Sequence, residues 1–193
     1  MRKAIAAAIA VALFALMCGG CYAHTEYDEK TLVRAEYSGA EGMAEFPLAY
    51  TRTFDFSECA VFDEVRCDER TEQEYIRSRL ERYDAERDGD YGAYETRVKN
   101  YCNTPEKKGE FTAEDGKAFC EYIVKNGVFT WKESYRTDKT MYDFAGFHVY
   151  FYFSDGTEKS TYFYAEYPRN YKKIEAAFEN FLGFSLRVSY ADF

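Results

Sequence analysis

Carboxylates near the middle of the chain recur at alternate positions, a spacing that suits a hard divalent cation. The group comprises Asp84, Glu86, Asp88, Asp90 and Glu95. Alternate carboxylates can converge on one cation, and Gly89 can provide the sharp turn that such convergence needs. A glutamate at the end of the loop can close the site through both of its oxygens. The spacing therefore predicts a calcium site, and the sequence suggests no other cofactor.

Residues 84–95 resemble the calcium-binding loop of the EF-hand family. In that alignment Glu86 takes a position where the family has a shorter side chain, and Tyr91 takes one where it has an aliphatic residue. The resemblance implies a weak structural site rather than a calcium sensor. A second interpretation is a charged helix end, a turn through Gly89 and a strand that begins near Ala93.

Residues for catalysis are scarce. His148 is the sole histidine of the predicted folded region, and neither a nucleophile motif nor a glycine-rich phosphate loop accompanies it. Paired carboxylates could hydrolyse an envelope polymer, although a solvated acidic surface is the simpler interpretation of them. The carboxylates concerned are Asp55, Glu58, Asp63 and Glu64. We therefore predict a protein that is not an enzyme, with a carboxylate-dependent envelope hydrolase as an alternative.

Length and charge narrow the class of protein. The chain has 193 residues, 25 Lys and Arg against 34 Asp and Glu, and a formal net charge of −9. That charge argues against a nucleic-acid partner, because phosphate backbones repel acidic surfaces. A hydrophobic content of 47% with 31% charged residues is typical of a globular chain. The length accommodates one domain and an export segment.

Aromatic residues supply the other candidate site, a surface for binding. The chain has 19 Tyr and 17 Phe, and aromatic-rich runs flank Asp155-Gly156, which is a strong hairpin signal. A turn centred there aligns Val149 with Tyr162, which places rings on both faces of the sheet. The candidate binding residues are His148, Tyr150, Tyr152, Tyr162 and Tyr164. Tyrosines are rigid and amphipathic, so the expected partner is a protein or a cell-envelope polymer; the alternative is that both faces are simply buried.

The N-terminus predicts export. Residues 1–20 have the basic start and the short uncharged stretch of a signal peptide, and the stretch is too short to span a bilayer. Residues 18–21 (Cys-Gly-Gly-Cys) resemble the lipobox of bacterial lipoproteins. That resemblance implies acylation of Cys21 and anchoring to the outer face of a membrane by lipid alone. The alternative is ordinary cleavage after Ala23. We expect a lipidated, flexible tether over 21–45 and one domain over 46–193.

Cysteines in the predicted domain favour disulfides, given an oxidising compartment. They are Cys59, Cys67, Cys102 and Cys120. Four cysteines allow three pairings. Short local loops favour Cys59–Cys67 with Cys102–Cys120, while the other pairings and buried reduced thiols remain open.

Hydrophobic periodicity predicts a single α+β domain, a mostly antiparallel sheet with about three helices packed on it. Strands are expected at about 50–56, 128–136, 147–153, 160–167 and 184–190. Helices are expected to begin near Thr71, Thr112 and Asn170. The first of them is expected to place Ile76, Leu80 and Tyr83 on one helical face.

Residues 131–171 resemble a pattern in uncharacterised exported bacterial proteins, in which an Asp-Gly hairpin runs into a helix that starts Pro-x-Asn-Tyr. Asp155-Gly156 and the run from Pro168 to Tyr171 carry the resemblance. At residues 146–148 the pattern has a tryptophan that this chain lacks. The resemblance implies the order of hairpin, helix and strand, and it implies no activity.

Overall fold

Seven strands form one sheet in the part of the chain that the computed structural model describes, residues 31–40, 46–138 and 146–188. The strands are β1 (Leu32–Ala40), β2 (Ala49–Asp55), β3 (Ala60–Arg66), β4 (Glu106–Glu110), β5 (Ser134–Arg136), β6 (Phe147–Phe153) and β7 (Glu158–Tyr164). Their order is β4-β3-β2-β1-β6-β7-β5, and each neighbouring pair is antiparallel except β7 with β5. The predicted α+β fold with a mostly antiparallel sheet is confirmed.

Helices follow the strands along the chain, and the last two of them close one side of the sheet. They are α1 (Glu69–Glu81), α2 (Ala85–Asp88), α3 (Tyr91–Lys99), α4 (Ala113–Lys125) and α5 (Tyr171–Leu182), with a 3₁₀ turn at Val128–Thr130. Thr112 caps α4 as predicted, because its hydroxyl accepts from the backbone N–H of Asp115. Gly127 and Gly183 follow α4 and α5 with φ of 77° and 76°, the left-handed conformation that ends a helix. None of the described helices is long and apolar enough to cross a bilayer.

Helix α1 differs from the prediction at its start and in its buried face. Asp68 caps it by accepting from the backbone N–H of Thr71 at 2.8 Å, so the helix begins before the expected capping box. The large apolar side chain that α1 buries is Tyr75. Ile76 and Leu80 lie on one helix face as predicted, but both are only half-buried, and Tyr83 lies beyond the end of the helix at Glu81.

The two faces of the sheet differ in composition, because successive side chains of a strand point to opposite sides. The face beneath α4 and α5, here the phenylalanine face, is fully buried. Its rings are Phe54, Phe147, Phe151, Phe153 and Phe163. Phe178 of α5 anchors the helices there, with its ring centroid 4.8 Å from that of Phe54 and 4.5 Å from that of Phe119 in α4. The opposite face, here the tyrosine face, is half-buried. It carries His148, Tyr150, Tyr152, Tyr162 and Tyr164.

Residues 32–40 form the central strand β1 and not the tether predicted over 21–45. β1 is antiparallel to both neighbours, with Tyr37 opposite Arg52 of β2 and Val149 of β6. The described residues belong to a unit that begins at Thr31 rather than at residue 46. The predicted signal peptide and Cys21 lie outside the described residues.

The register of the β6–β7 hairpin is one residue away from the predicted one. His148, and not Val149, lies opposite Tyr162. A two-residue hairpin turn has either a positive φ at both of its central residues or a glycine at the first of them. In this loop only Gly156 has a positive φ, at 80°. The loop therefore has three residues, and the N–H of Phe153 donates across it. A shift by one residue moves Tyr162 to the other face, so all five candidate rings share the tyrosine face.

The predicted strand over 128–136 is wrong for most of its length. It consists of the 3₁₀ turn, an extended connection and the three-residue β5. Trp131 in the connection is buried, and its indole N–H donates to the side-chain oxygen of Asn170 at 2.9 Å. The tryptophan thereby joins this stretch to the start of α5 instead of lying in a continuous strand.

The predicted strand over 184–190 is also wrong in its described part, which ends at 188. Leu186 and Val188 are buried, as the alternation suggests. Phe184 lies on Gly109 of β4, where any Cβ would collide with the ring. The segment thus crosses the phenylalanine face instead of pairing with a strand.

A buried ion pair holds this C-terminal segment on the sheet. Arg52 of β2 lies opposite Asp63 of β3 and donates to both of its carboxylate oxygens, at 2.7 and 2.6 Å. The same guanidinium donates to the backbone carbonyls of Ser185 at 2.9 Å and Arg187 at 3.3 Å. These hydrogen bonds satisfy carbonyls that have no strand partner.

Candidate functional site

The tyrosine face carries a continuous row of rings. His148 stacks on Tyr150 with centroids 5.5 Å apart, and Tyr150 stacks on Tyr152 at 6.1 Å, each pair with an interplanar angle of 14°. Tyr162 adds a fourth ring at 4.8 Å from His148, and Tyr164 follows on the same face of β7. Parallel rings this close are offset-stacked, so their faces turn towards one another along the strand. The row therefore presents phenol hydroxyls and ring edges outward rather than flat ring faces.

A guanidinium lies at each end of this row. The Cζ of Arg34 in β1 is 4.0 Å from the ring centroid of Tyr152, and that of Arg136 in β5 is 5.8 Å from the centroid of Tyr162. Both arginines are exposed. Neither is among the residues predicted from the sequence: Arg34 falls in the predicted tether, and Arg136 is the last residue of the predicted strand over 128–136. Arg34 and Glu36 are two residues apart, which is the period of one face of a strand, and this spacing could have identified Arg34.

A buried carboxylate lies beside the row on the neighbouring strand. Glu36 of β1, opposite Tyr150, is 6% exposed and accepts from Arg66 at 2.9 Å. Arg66 also donates to Glu64 at 2.5 Å, so one guanidinium serves two carboxylates. Burial raises the pKa of Tyr150, and the nearby Tyr152 and Glu36 raise it further. The phenol of Tyr150 therefore stays protonated at neutral pH and can donate a hydrogen bond to a ligand.

His148 makes the stability depend on pH. Burial lowers the pKa of His148 below its ordinary value of 6.5. The unfolded chain therefore takes up this proton at a higher pH than the folded protein, so the free energy of unfolding should fall as the pH drops below about 6.5. Urea unfolding at about pH 7.5 and pH 5.5 measures the fall, and His148→Gln should remove the histidine's share of it. An imidazole NMR titration with a midpoint above 6.5 would contradict this prediction.

The acidic run over 84–95 does not have the geometry of an EF-hand loop. Two helices, α2 and α3, occupy most of it. Asp84 caps α2 by accepting from the N–H of Glu86 at 2.9 Å, and Asp90 caps α3 by accepting from the N–H of Ala93 at 2.9 Å. The alternative of a strand near Ala93 is also wrong, since this residue lies in α3.

Two other carboxylates of this run bind basic side chains of the chain itself, and Glu86 lies in the first turn of α2. Asp88 pairs with Arg87 at 2.6 Å and Glu95 with Lys99 at 2.7 Å. The hydrogen bond from Arg87 lowers the pKa of Asp88 to about 2. Within the described residues, no group of three or more His, Cys, Asp or Glu side chains is placed to hold a metal ion. The predicted calcium site is therefore wrong, and helix capping or ion pairing accounts for Asp84, Asp88, Asp90 and Glu95.

The carboxylates proposed for hydrolysis do not meet in one site. Asp63 points to the phenylalanine face and its neighbour Glu64 to the tyrosine face. Asp55 accepts from the backbone N–H of Glu58 at 3.0 Å and closes the turn between β2 and β3. Paired catalytic carboxylates must flank one bond, and side chains on opposite faces of a sheet cannot do so.

The cysteines lie at opposite ends of β3, which contradicts both predicted disulfides. Cys59 precedes β3 and Cys67 follows it, so the strand separates them by roughly 25 Å. A disulfide tolerates about 7 Å between Cα atoms. Cys120 hydrogen-bonds to the start of β1, at the Cys59 end of the sheet, whereas Cys102 bridges to Val65 near the other end. None of these four cysteines is part of a disulfide.

The geometry defines the class of this protein as a single-sheet α+β domain with one buried face and one ring-bearing, half-exposed face. Comparisons of the chain with protein-family models, with curated proteins and with solved structures each found no match.

Proposed function

We propose that this chain is an exported, non-catalytic domain that binds a protein partner through its tyrosine face. The observation that carries the proposal is the row of four neighbouring rings, three of them stacked, with an exposed guanidinium at each end. The row lies on the side of the sheet opposite α4 and α5. Tyrosine and arginine are the side chains that most often dominate the affinity of protein interfaces.

The orientation of the rings favours a protein over a glycan polymer of the cell envelope. A sugar ring stacks on an open aromatic face, whereas neighbours in this row cover part of each other's faces at 5.5 and 6.1 Å. The exposed edges combine apolar contact with phenol and imidazole hydrogen bonding. Carbonyl and carboxylate oxygens of a protein surface match these donors and the two guanidinium groups.

Export and lipid anchoring complete the proposal. Acyl chains on Cys21 hold the domain to the outer face of a bacterial membrane. Because β1 begins at Leu32, only residues 22–31 separate the anchor from the sheet. Even fully extended, they span at most about 35 Å. The partner therefore binds close to the membrane surface.

Photo-crosslinking in cells tests this proposal. A benzophenone amino acid at Ser160, opposite Tyr150 in the β6–β7 pair, leaves every ring of the row in place. We expect a protein adduct from position 160. Adding Tyr150→Ser or Tyr152→Ser should lower the yield of this adduct by about tenfold or more. The matched control carries the same amino acid at Tyr91, which is 46% exposed on α3.

Absence of an adduct at position 160, or an identical adduct from position 91, would contradict a protein-binding role for the tyrosine face. Co-sedimentation of the protein with isolated peptidoglycan sacculi, abolished by the same serine variants, would contradict it in favour of an envelope polymer. Thermal unfolding of each variant separates loss of binding from loss of the fold.

A further inference from the structure

Cys67 and Cys102 are held side by side where the chain returns from α3 to the sheet. Cys67 follows the last residue of β3, and Cys102 forms an isolated parallel bridge with Val65 of the same strand. The thiol of Cys102 lowers the pKa of Cys67, and Cys67 in turn raises that of Cys102, as expected for neighbouring thiols. Two residues from distant parts of the sequence are thus brought close together.

Asn103 fixes this arrangement from both sides. Its backbone N–H donates to the carbonyl of Val65 at 2.7 Å, and its side-chain oxygen accepts from the N–H of Cys67 at 3.2 Å. Its side-chain nitrogen lies 4.0 Å from the sulfur of Cys67. Asn103 has a φ of 55°, a left-handed conformation that asparagine tolerates better than most residues. These contacts hold the segment of Cys102 next to that of Cys67 without a covalent bond.

We propose that Cys67 and Cys102 form a disulfide when the protein is in oxidising surroundings, joining the end of β3 to the segment after α3. The pairing is independent of the proposed role of the tyrosine face. It closes residues 67–102, which carry α1, α2 and α3, into a covalent loop on the sheet. Cys59 and Cys120 lie at the opposite end of β3 and take no part.

The oxidant is a disulfide of low molecular weight, such as oxidised glutathione. The thiolate of Cys67, which is half-exposed, attacks one sulfur of the oxidant and releases one glutathione thiolate. The thiolate of Cys102 then attacks the Cys67 sulfur of the mixed disulfide and releases the second. The protein loses two electrons and two protons, and the electrons and protons are taken up by the two glutathione molecules formed.

The reduced pair reacts slowly at neutral pH. Burial raises the pKa of Cys67 above its ordinary value, and it raises that of Cys102 to about 12. Both thiols are therefore mainly protonated, and the thiolate is the reacting form. Disulfide formation should accelerate as the pH is raised from about 7 to about 9.

Peptide mapping after oxidation tests the pairing. The reduced full chain, kept folded, is incubated with oxidised glutathione at about pH 8, alkylated and digested with trypsin without reduction. Each of the four cysteines falls in a different peptide, 53–66, 67–70, 100–107 or 118–125. We expect peptide 67–70 linked to peptide 100–107, and a thermal midpoint on the order of 10 °C above that of the reduced protein.

Cys67→Ser and Cys102→Ser should each abolish the link and the shift in thermal midpoint, while the matched control Cys59→Ser should retain both. A link that joins peptide 53–66 to 67–70, or 100–107 to 118–125, would overturn the proposal. So would complete alkylation of Cys67 and Cys102 in the folded, oxidant-treated protein. A linked pair that leaves the thermal midpoint unchanged would overturn the claim that the bridge ties α1–α3 to the sheet.

Discussion

Asp63→Ala should lower the free energy of unfolding by about 3 to 5 kcal/mol, because it leaves a buried guanidinium without its partner. Arg52 is 8% exposed and Asp63 is 1% exposed, so water cannot replace the lost carboxylate. The two hydrogen bonds to Asp63 also orient the guanidinium towards the carbonyls of Ser185 and Arg187. We therefore expect the C-terminal segment to loosen as well, and trypsin to cleave after Arg187 faster than in the wild type.

Urea unfolding of the variant and the wild type measures the loss. The double variant Arg52→Met with Asp63→Leu removes both charges and should cost less than Asp63→Ala alone. Lys99→Ala, which breaks the exposed pair with Glu95, is the matched surface control and should leave the urea midpoint nearly unchanged. Equal midpoints for Asp63→Ala and Lys99→Ala would show that the Arg52 pair is not desolvated.

Phe178→Ala should lower the free energy of unfolding by about 3 to 5 kcal/mol by opening a cavity where the helices meet the sheet. Phe178 is fully buried, and its ring contacts rings from three elements. The centroid distances are 4.8 Å to Phe54, 4.5 Å to Phe119 and 6.4 Å to Phe151. No neighbour can fill the space without leaving another of these contacts.

The matched control for Phe178 lies one turn further along α5. Phe181 is half-buried, and its ring centroid is 5.4 Å from that of Tyr122 in α4. Phe181→Ala therefore removes the same atoms from a more solvent-exposed position. Denaturant unfolding of both variants gives the comparison, and Phe178→Ala should lose clearly more stability. Equal losses would contradict the placement of Phe178 at the centre of the core.

Local signals were sufficient to predict the helices that pack on the sheet. Thr112 begins α4, and Gly127 and Gly183 end α4 and α5, because caps depend on a few neighbouring residues. Tyr171 and Ile174 are three residues apart in α5 and are both buried, as that helical spacing favours. Helix α1 was placed less well, since Asp68 and Thr71 are both good caps and only the sheet decides which one is used.

The strands depended on information that is not local. The sequence of β1 does not look like that of a central strand, because it contains Glu36. This charge can be buried only because its partner, Arg66, comes from β3. Leu186 and Val188 alternate like a strand, yet the hydrogen bonds of that segment come from the side chain of Arg52. The hairpin register depended on whether one or two residues of the loop adopt a positive φ. Asp155-Gly156 is compatible with either turn.

The candidate site was predicted in composition but not in arrangement. The sequence identifies Tyr150 and Tyr152 as neighbours on one face of β6, because they are two residues apart. It could not place Tyr162 beside His148, since that contact depends on the register. The acidic run over 84–95 was misread because aspartates with this spacing serve equally well as calcium ligands and as caps of consecutive short helices.

The position of β1 has a consequence for the making of the protein. This strand is synthesised early, but its two neighbours are not: β2 follows closely, whereas the residues of β6 that pair with β1 come more than 100 residues later. Until β6 emerges, one side of β1 displays unpaired N–H and C=O groups. Such an open edge can recruit strands from other chains. The strand order thus leaves the growing polypeptide prone to aggregation for most of its synthesis. Slow translation should lengthen this period, and high expression should raise the concentration of chains that are in it.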